Sequence, residues 1–202
     1  MARITSYSTL VDAIVDRMND SAMSDYADEF IQLAEAMFNR RLYTLDAEGT
    51  ATIDADDTIP LPTDYKAIRS LHLDDYGPLT QLSPDDFQTR WADDTEAQPE
   101  NYAIFGGVIH LGPRPDDTYT VTMTYVRTLT GLDSSNTTNW LLEKHPDLYL
   151  HAALMHAEFR GWNDDRLPLL NSAVEGTLAE INDADIRARR GDLHGTVAAT
   201  YY

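Results

Sequence analysis

Apolar residues recur at helical spacing near both ends of this chain and at alternating spacing in its middle. Leu10, Val11, Ile14, Val15 and Met18 follow the cap candidates Thr5 and Ser6, which predicts a first helix. After a short connection at 19–23, Ser24 is expected to cap a second helix. Its buried face is read as Phe30, Leu33, Ala34, Met37 and Phe38. Asp25, Asp28 and Glu29 are placed in the first turn and Arg40 and Arg41 in the last, where their charges complement the helix dipole.

The period changes after Gly49. Residues 50–55 alternate threonine or aspartate with alanine or isoleucine, the pattern of a strand ending at Asp56-Asp57. Ile59-Pro60-Leu61-Pro62 is barred from a helix interior, because each proline removes a donor and restricts its predecessor. A strand over 65–73 and a turn at Tyr76-Gly77-Pro78 follow. Ser83-Pro84 predicts a short helix through Phe87 and Trp91, and 93–100 reads as a loop. Gly106-Gly107 between 102–105 and 108–111 is a two-residue hairpin signal. Tyr119, Val121, Met123 and Tyr125 alternate with four threonines, giving a strand with two distinct faces. The middle of the chain is therefore expected to be a compact antiparallel β region.

Helical spacing returns after a Ser/Thr/Asn-rich loop at 131–139. Pro146 is placed to open a helix with Leu148, Ala152, Met155, Phe159 and Trp162 on one stripe, widened by Tyr149 and Ala153 and ended by Gly161 and Asn163. A last helix follows Asp164-Asp165, tolerates Pro168 in its opening turn, and turns Leu170, Val174, Leu178 and Ile181 inward. It closes at Arg187, Arg189, Arg190 and Gly191. The expected fold class is α+β: a bundle of N- and C-terminal helices with an inserted small antiparallel β domain. The boundaries are read as 1–48, 49–130 and 131–191, with a tail over 192–202.

Composition narrows the function more than the fold. A hydrophobic fraction of 43% rules out wholesale disorder, and the longest apolar runs are too short for a transmembrane helix. The N-terminal Met-Ala-Arg-Ile-Thr-Ser-Tyr-Ser lacks the apolar core of a signal peptide, so synthesis in the cytoplasm is expected. Asn136-Thr137-Thr138 is then a chance match to the glycosylation pattern. The absence of cysteine excludes disulfides, thiolate metal sites and a cysteine nucleophile. Fifteen basic against 34 acidic residues give a net charge of −19, which disfavours any protein that grips nucleic acid by its phosphates.

Chemistry is sparse. The chain contains no Gly-x-Ser-x-Gly, no Gly-x-x-x-x-Gly-Lys and no Gly-x-Gly-x-x-Gly. Asp54, Asp56 and Asp57 resemble the start of a calcium loop. Its sixth and twelfth positions, however, would be Ile59 and Tyr65, where glycine and a bidentate glutamate are needed. His151 and His156 are not at the i, i+4 spacing of zinc-binding pairs, and His145 reads as a cap or loop residue. No catalytic, cofactor or metal site is assigned. Arg187, Arg189 and Arg190 either complement the end of the last helix or dock on an acidic partner. Tyr201 and Tyr202, in a tail too small to form a core, are either frayed or bound in another chain's groove.

Several segments taken in order carry a resemblance: two N-terminal helices, Leu61-Pro62-x-Asp64-Tyr65, the hairpin from Tyr102 to Pro113, Asn139-Trp-Leu-Leu-Glu-Lys-His-Pro-Asp-Leu-Tyr149, and two closing helices. The set resembles the head-to-tail adaptor (connector, or head-completion) proteins of tailed bacteriophages, including the podovirus tail tubular protein A group. That resemblance implies a non-enzymatic virion protein without cofactors, assembled in the host bacterial cytoplasm as a ring of about twelve copies. The ring would sit beneath the portal, extend the DNA channel without binding DNA specifically, and carry the next tail or nozzle protein. It also implies a portal-docking role for Ile186, Arg187, Arg189, Arg190, Tyr201 and Tyr202. The alternative reading is a monomeric module that binds a small ligand or carbohydrate through the β domain.

Overall fold

The computed structural model describes residues 3–55, 58–93, 95–161 and 165–189. The architecture is α+β and divides into two compact units. One is helical, formed by the chain up to Asp46 and from Leu129 onward; the other, Ala47–Thr128, contains the sheets.

In the helical unit, α1 (Tyr7–Met18) starts at Ser6. The Ser6 hydroxyl accepts from the Thr9 amide while Thr9 Oγ1 accepts from the Ser6 amide. This reciprocal pairing satisfies amides that a helix start otherwise leaves without partners. Asn19 ends the helix in the left-handed region at φ 52°. Ser24 does not cap the second helix. Residues Ser21–Tyr26 form a 3-10 segment, and α2 (Ala27–Arg41) follows with Asp28 and Glu29, but not Asp25, in its first turn. The buried face of α2 is also rotated from the expected one. Ala27, Phe30, Ile31, Ala34, Glu35 and Phe38 are buried, whereas Leu33 is 43% exposed.

A short helix, α4 (Trp140–Lys144), precedes α5 (Pro146–Gly161) and was not anticipated. Asn139 caps it, accepting from the Leu142 amide at 2.9 Å, and His145 ends it. α5 packs against α1, α2, α4 and α6 (Leu167–Arg189). It is accordingly buried nearly all round, at Leu148, Tyr149, Leu150, Ala152, Ala153, Leu154 and Ala157. The single stripe expected for α5 is therefore incorrect: Phe159 is 72% exposed, and Trp162 lies outside the described residues. α6 turns Leu170, Val174, Leu178 and Ile181 inward as its spacing predicts.

A carboxylate lies inside this apolar core. Glu35 Oε1 accepts from the Tyr149 hydroxyl at 3.0 Å and from the Leu132 amide at 2.8 Å. Asn139 Nδ2 donates to the Tyr149 oxygen at 2.7 Å and to the Thr130 carbonyl at 2.8 Å. Asn39 Oδ1 accepts from the Leu129 amide at 2.7 Å. The returning segment is thus tied to α2 and α5 by side chains. A β-carbon on Gly131 would stand 3.1 Å from Glu35 Oε2, so the close approach favours glycine. Burial raises the Glu35 carboxyl above its usual range, opposed by the bonds from Leu132 and Tyr149. The Tyr149 hydroxyl is pushed up by burial and by the Glu35 charge.

The β unit holds two four-stranded sheets over one core. The first has the order β1-β8-β3-β4, with β1 Glu48–Ala55, β3 Tyr65–Leu73, β4 Gly77–Pro78 and β8 Tyr119–Arg127. The second has the order β2-β7-β6-β5, with β2 Thr58–Pro60, β5 Thr80–Gln81, β6 Asn101–Phe105 and β7 Val108–Gly112. Leu71, Val121 and Met123 from one sheet meet Ile59, Ile109 and Leu111 from the other. Pro60 lies on an edge strand, where its missing donor breaks no ladder. Gly106 and Gly107 turn the hairpin at φ 62° and 81°, a conformation that favours glycine. The antiparallel expectation needs one correction, since β5 pairs with β6 in parallel. α3 (Pro84–Arg90), capped by Ser83, packs Phe87 toward β7. A β-carbon on Gly112 would lie 2.5 Å from Trp91 Cδ1 and 2.7 Å from Phe87 Cε2.

Two outcomes follow for stability. Glu35→Ala leaves the Leu132 amide and Tyr149 hydroxyl buried without their acceptor and is expected to cost about 2–4 kcal/mol in urea unfolding. Glu35→Gln retains an acceptor oxygen but does not ionise. Because the folded carboxyl titrates above its unfolded value, its contribution is fully present below about pH 4.3 and is lost as pH rises through the raised value. The stability of Glu35→Gln relative to the parent should therefore increase from pH 4 to pH 7; a flat difference would show that Glu35 is not raised. Gly112→Ala should cost about 1–3 kcal/mol, read by chemical denaturation, because the indole and phenyl rings must move.

Candidate interaction surfaces

The C-terminal end of α6 carries three of the residues expected to dock a partner, Ile186, Arg187 and Arg189, and their environments differ. Ile186 is 45% exposed and Arg187 is exposed. Arg189 is engaged within its own chain: Nε donates to Asp185 Oδ2 at 2.6 Å and Nη2 to the Tyr43 carbonyl at 3.1 Å. Asp185 Oδ1 also accepts from the Leu45 amide at 2.7 Å. Arg189 and Asp185 together clamp α6 to residues 43–45. Arg190, Tyr201 and Tyr202 lie outside the described residues.

Beside this clamp a groove of about 520 Å3 runs along α6. Leu45, Ile181, Ala184 and Ala188 give it apolar lining, beside the carboxylates of Asp147 and Glu180. Asp46 pairs with Lys144 at the same place. The clamp shapes this groove, because the backbone that it holds bears Leu45.

Where α5 ends and α6 begins, the surface is of another kind. Phe159 is 72% and Leu169 74% exposed, beside an apolar groove of about 470 Å3 lined by Met155, His156, Phe159, Leu167 and Pro168. Arg160 and Arg166 are adjacent in sequence to two of its lining residues, Phe159 and Leu167. The Arg160 guanidinium lies 3.6 Å from the centre of the Tyr26 ring and 3.9 Å from Glu29; Arg166 meets the buried Glu158 at 2.5 Å. Burial, reinforced by Arg40, lowers the affinity of His156 for a proton. Sequence reading did not identify Leu169, although a signal exists: it lies about 100–180° around the helix from Leu170, Val174, Leu178 and Ile181, on the outer face. Phe159 was assigned inward.

The β unit offers an aromatic, acidic tip. Tyr76, 59% exposed, meets Tyr119 edge-on, and the Tyr119 hydroxyl donates to Asp116 at 2.6 Å. That bond pushes the Tyr119 hydroxyl up to about 12. Asp54, once a calcium-loop candidate, accepts from the Thr120 hydroxyl at 2.9 Å; Asp56 and Asp57 lie outside the described residues. His145 ends α4, while His151 and His156 lie along α5. Among the described residues no group of three His, Asp or Glu side chains is placed to hold a metal, and no helix is long and apolar enough to cross a membrane.

The geometry is that of surfaces, with exposed apolar side chains at both ends of one long helix. Compared with known proteins, residues 5–199 match the family model of the SU10 adaptor protein. No curated protein matches the chain. A match over nearly the whole length, on a chain of this architecture, establishes the relationship: the protein belongs to the SU10 adaptor family of phage adaptor proteins.

Proposed function

We propose that this adaptor forms a ring of about twelve copies beneath the portal, extends the DNA channel, and presents the platform on which the tail or nozzle protein is built. Family membership implies a structural virion component rather than an enzyme. The observation that carries the finer reading is the match over 5–199, which takes in both the helical unit and the β unit. Affinity with the podovirus tail tubular protein A group belongs to the same proposal and rests on the order of the shared segments. So does assembly in the host bacterial cytoplasm.

The net charge of −19 supports passage of DNA through the ring without retention, since phosphate is repelled from a negative wall. Portal docking falls to the end of α6 and the chain beyond it. Ile186 and Arg187 offer an apolar and a cationic contact, Arg190, Tyr201 and Tyr202 extend them, and Arg189 holds the helix end in position. The tail over 192–202 acts in this reading as a separate docking segment.

Mass photometry of the full chain, alone and with portal, tests the assembly. The expected species has about twelve times the 22.7 kDa chain mass, about 270 kDa. A protein that stays monomeric in both conditions overturns the ring. Truncation after Gly191 should abolish portal binding and leave the number of copies in the assembly unchanged; portal binding that survives the truncation removes the docking role from the tail.

A further inference from the structure

A sheet ends at strands whose outer backbone groups have no ladder to join, and each such edge is a template for another chain. The β unit has four of these edges, β1, β4, β2 and β5. Three are blunted: β4 and β5 are two residues long, β4 contains Pro78, and β2 is three residues ending in Pro60. β1 is different. Its eight residues pair with β8 in consecutive steps without a bulge, and they contain no proline and no lysine. Every second residue of an antiparallel edge strand turns both its N–H and its C=O away from the neighbour. Among the described residues, no hydrogen bond joins the backbone of 49–55 to a group outside the β8 ladder. The core is also less covered on this side. Ala51 and Ile53 are only partly buried, whereas their β8 partners Met123 and Val121 are buried.

We propose that β1 receives an extended segment of the downstream tail protein, which pairs with 49–55 as an added strand. The edge names the chemistry of its occupant. The backbone takes an extended chain, and the side chains of that chain must alternate. Apolar ones lie beside Ala51 and Ile53 and complete the cover of the core. Those between them lie beside Thr50, Thr52 and Asp54, which are exposed opposite Thr124, Thr122 and Thr120 of β8. Threonine continues that face, and lysine or arginine meets Asp54, which has no cationic partner among the described residues. A second copy fits less well. Two copies at −19 repel each other, and β1 on β1 is a self-complementary contact that closes a dimer and not a ring. The portal contact is assigned to the end of α6 and the chain beyond it, which belong to the helical unit. The assignment rests on the adaptor reading and locates its tail platform on β1.

Hydrogen exchange of the full chain, read residue by residue by mass spectrometry, tests the pairing. In the free protein, alternate amides of 49–55 are expected to exchange quickly, while those between them, bonded to β8, exchange slowly. Addition of the downstream tail protein of the same virion should slow the fast set by about tenfold or more. Binding that leaves those amides unchanged overturns the added strand and lets the adaptor reading stand; failure of the tail protein to bind overturns both. Protection that grows with the concentration of this chain alone assigns the edge to a second copy and overturns the proposed partner. Thr50→Lys/Thr52→Lys gives a second readout, because it blunts the edge at exposed positions outside the core. It should weaken tail-protein binding by about tenfold or more, whereas Gln88→Lys/Gln98→Lys, an equal change of charge at exposed positions elsewhere, should not. A blunted variant that binds like the parent overturns the assignment.

Discussion

The helical unit depends on a carboxylate placed where the hydrophobic pattern expects none. Glu35 lies in the core among Phe38, Tyr149 and Ala34, and removing a charge from water costs several kcal/mol unless the group is hydrogen-bonded or protonated. The structure satisfies it from two directions. Tyr149, on the central helix, supplies a hydroxyl, and Leu132, on the segment that returns to the unit, supplies an amide. Asn139 then joins Tyr149 to Thr130 and caps α4. One buried polar network therefore sets the position of α2, the start of α4, the rotation of α5 and the path of 129–139. An apolar residue at position 35 could fill the same volume but would specify none of these.

The segments that carry the family likeness act in the same way. In Leu61-Pro62-x-Asp64-Tyr65, the Asp64 carboxylate accepts from the Tyr125 hydroxyl at 3.0 Å and its carbonyl from the Thr128 amide at 2.7 Å, fastening the start of β3 to the end of β8. Tyr65 stacks on Tyr125. The hairpin supplies two glycines for its turn and Gly112 for the close approach of Phe87 and Trp91. In Asn139-Trp-Leu-Leu-Glu-Lys-His-Pro, Asn139 and His145 bound α4, and Pro146 opens α5 without interrupting it. These residues position backbone segments and perform no chemistry.

The ends of elements were legible in the sequence where a cap or turn residue has a single local use: Ser6, Ser83, Gly106-Gly107 and Pro146. The inward face of α6 was legible because Leu170, Val174, Leu178 and Ile181 recur at helical spacing along it. The face of α2 was not. The stripe Phe30, Ala34, Phe38 can be widened toward Leu33 and Met37 or toward Ile31 and Glu35. Hydropathy chooses the first, whereas the partners of Glu35, distant in sequence, decide for the second. α5 has neighbours on every side, so its periodicity gives no direction, and Phe159 emerges only where those neighbours end. The α6 groove was invisible for a related reason, because Leu45 and Asp147 come from segments far apart in the chain.

Arg187, Arg189 and Arg190 form one cluster in the sequence, but the structure separates Arg189 from Arg187. Arg189 is bound by Asp185 and the Tyr43 carbonyl, while Asp185 also holds the Leu45 amide. The end of α6 and the chain after α2 are consequently one piece, and the groove between them is present before any partner arrives. Preformation matters for assembly, since ordering a side chain on binding costs about 0.5–1.5 kcal/mol and a recess already held open avoids much of that cost. Arg189 is therefore engaged within its own chain, whereas Arg187 is exposed. Arg189 fixes the helix end, and that fixed end gives Arg187 and Ile186 a defined position from which to meet another chain.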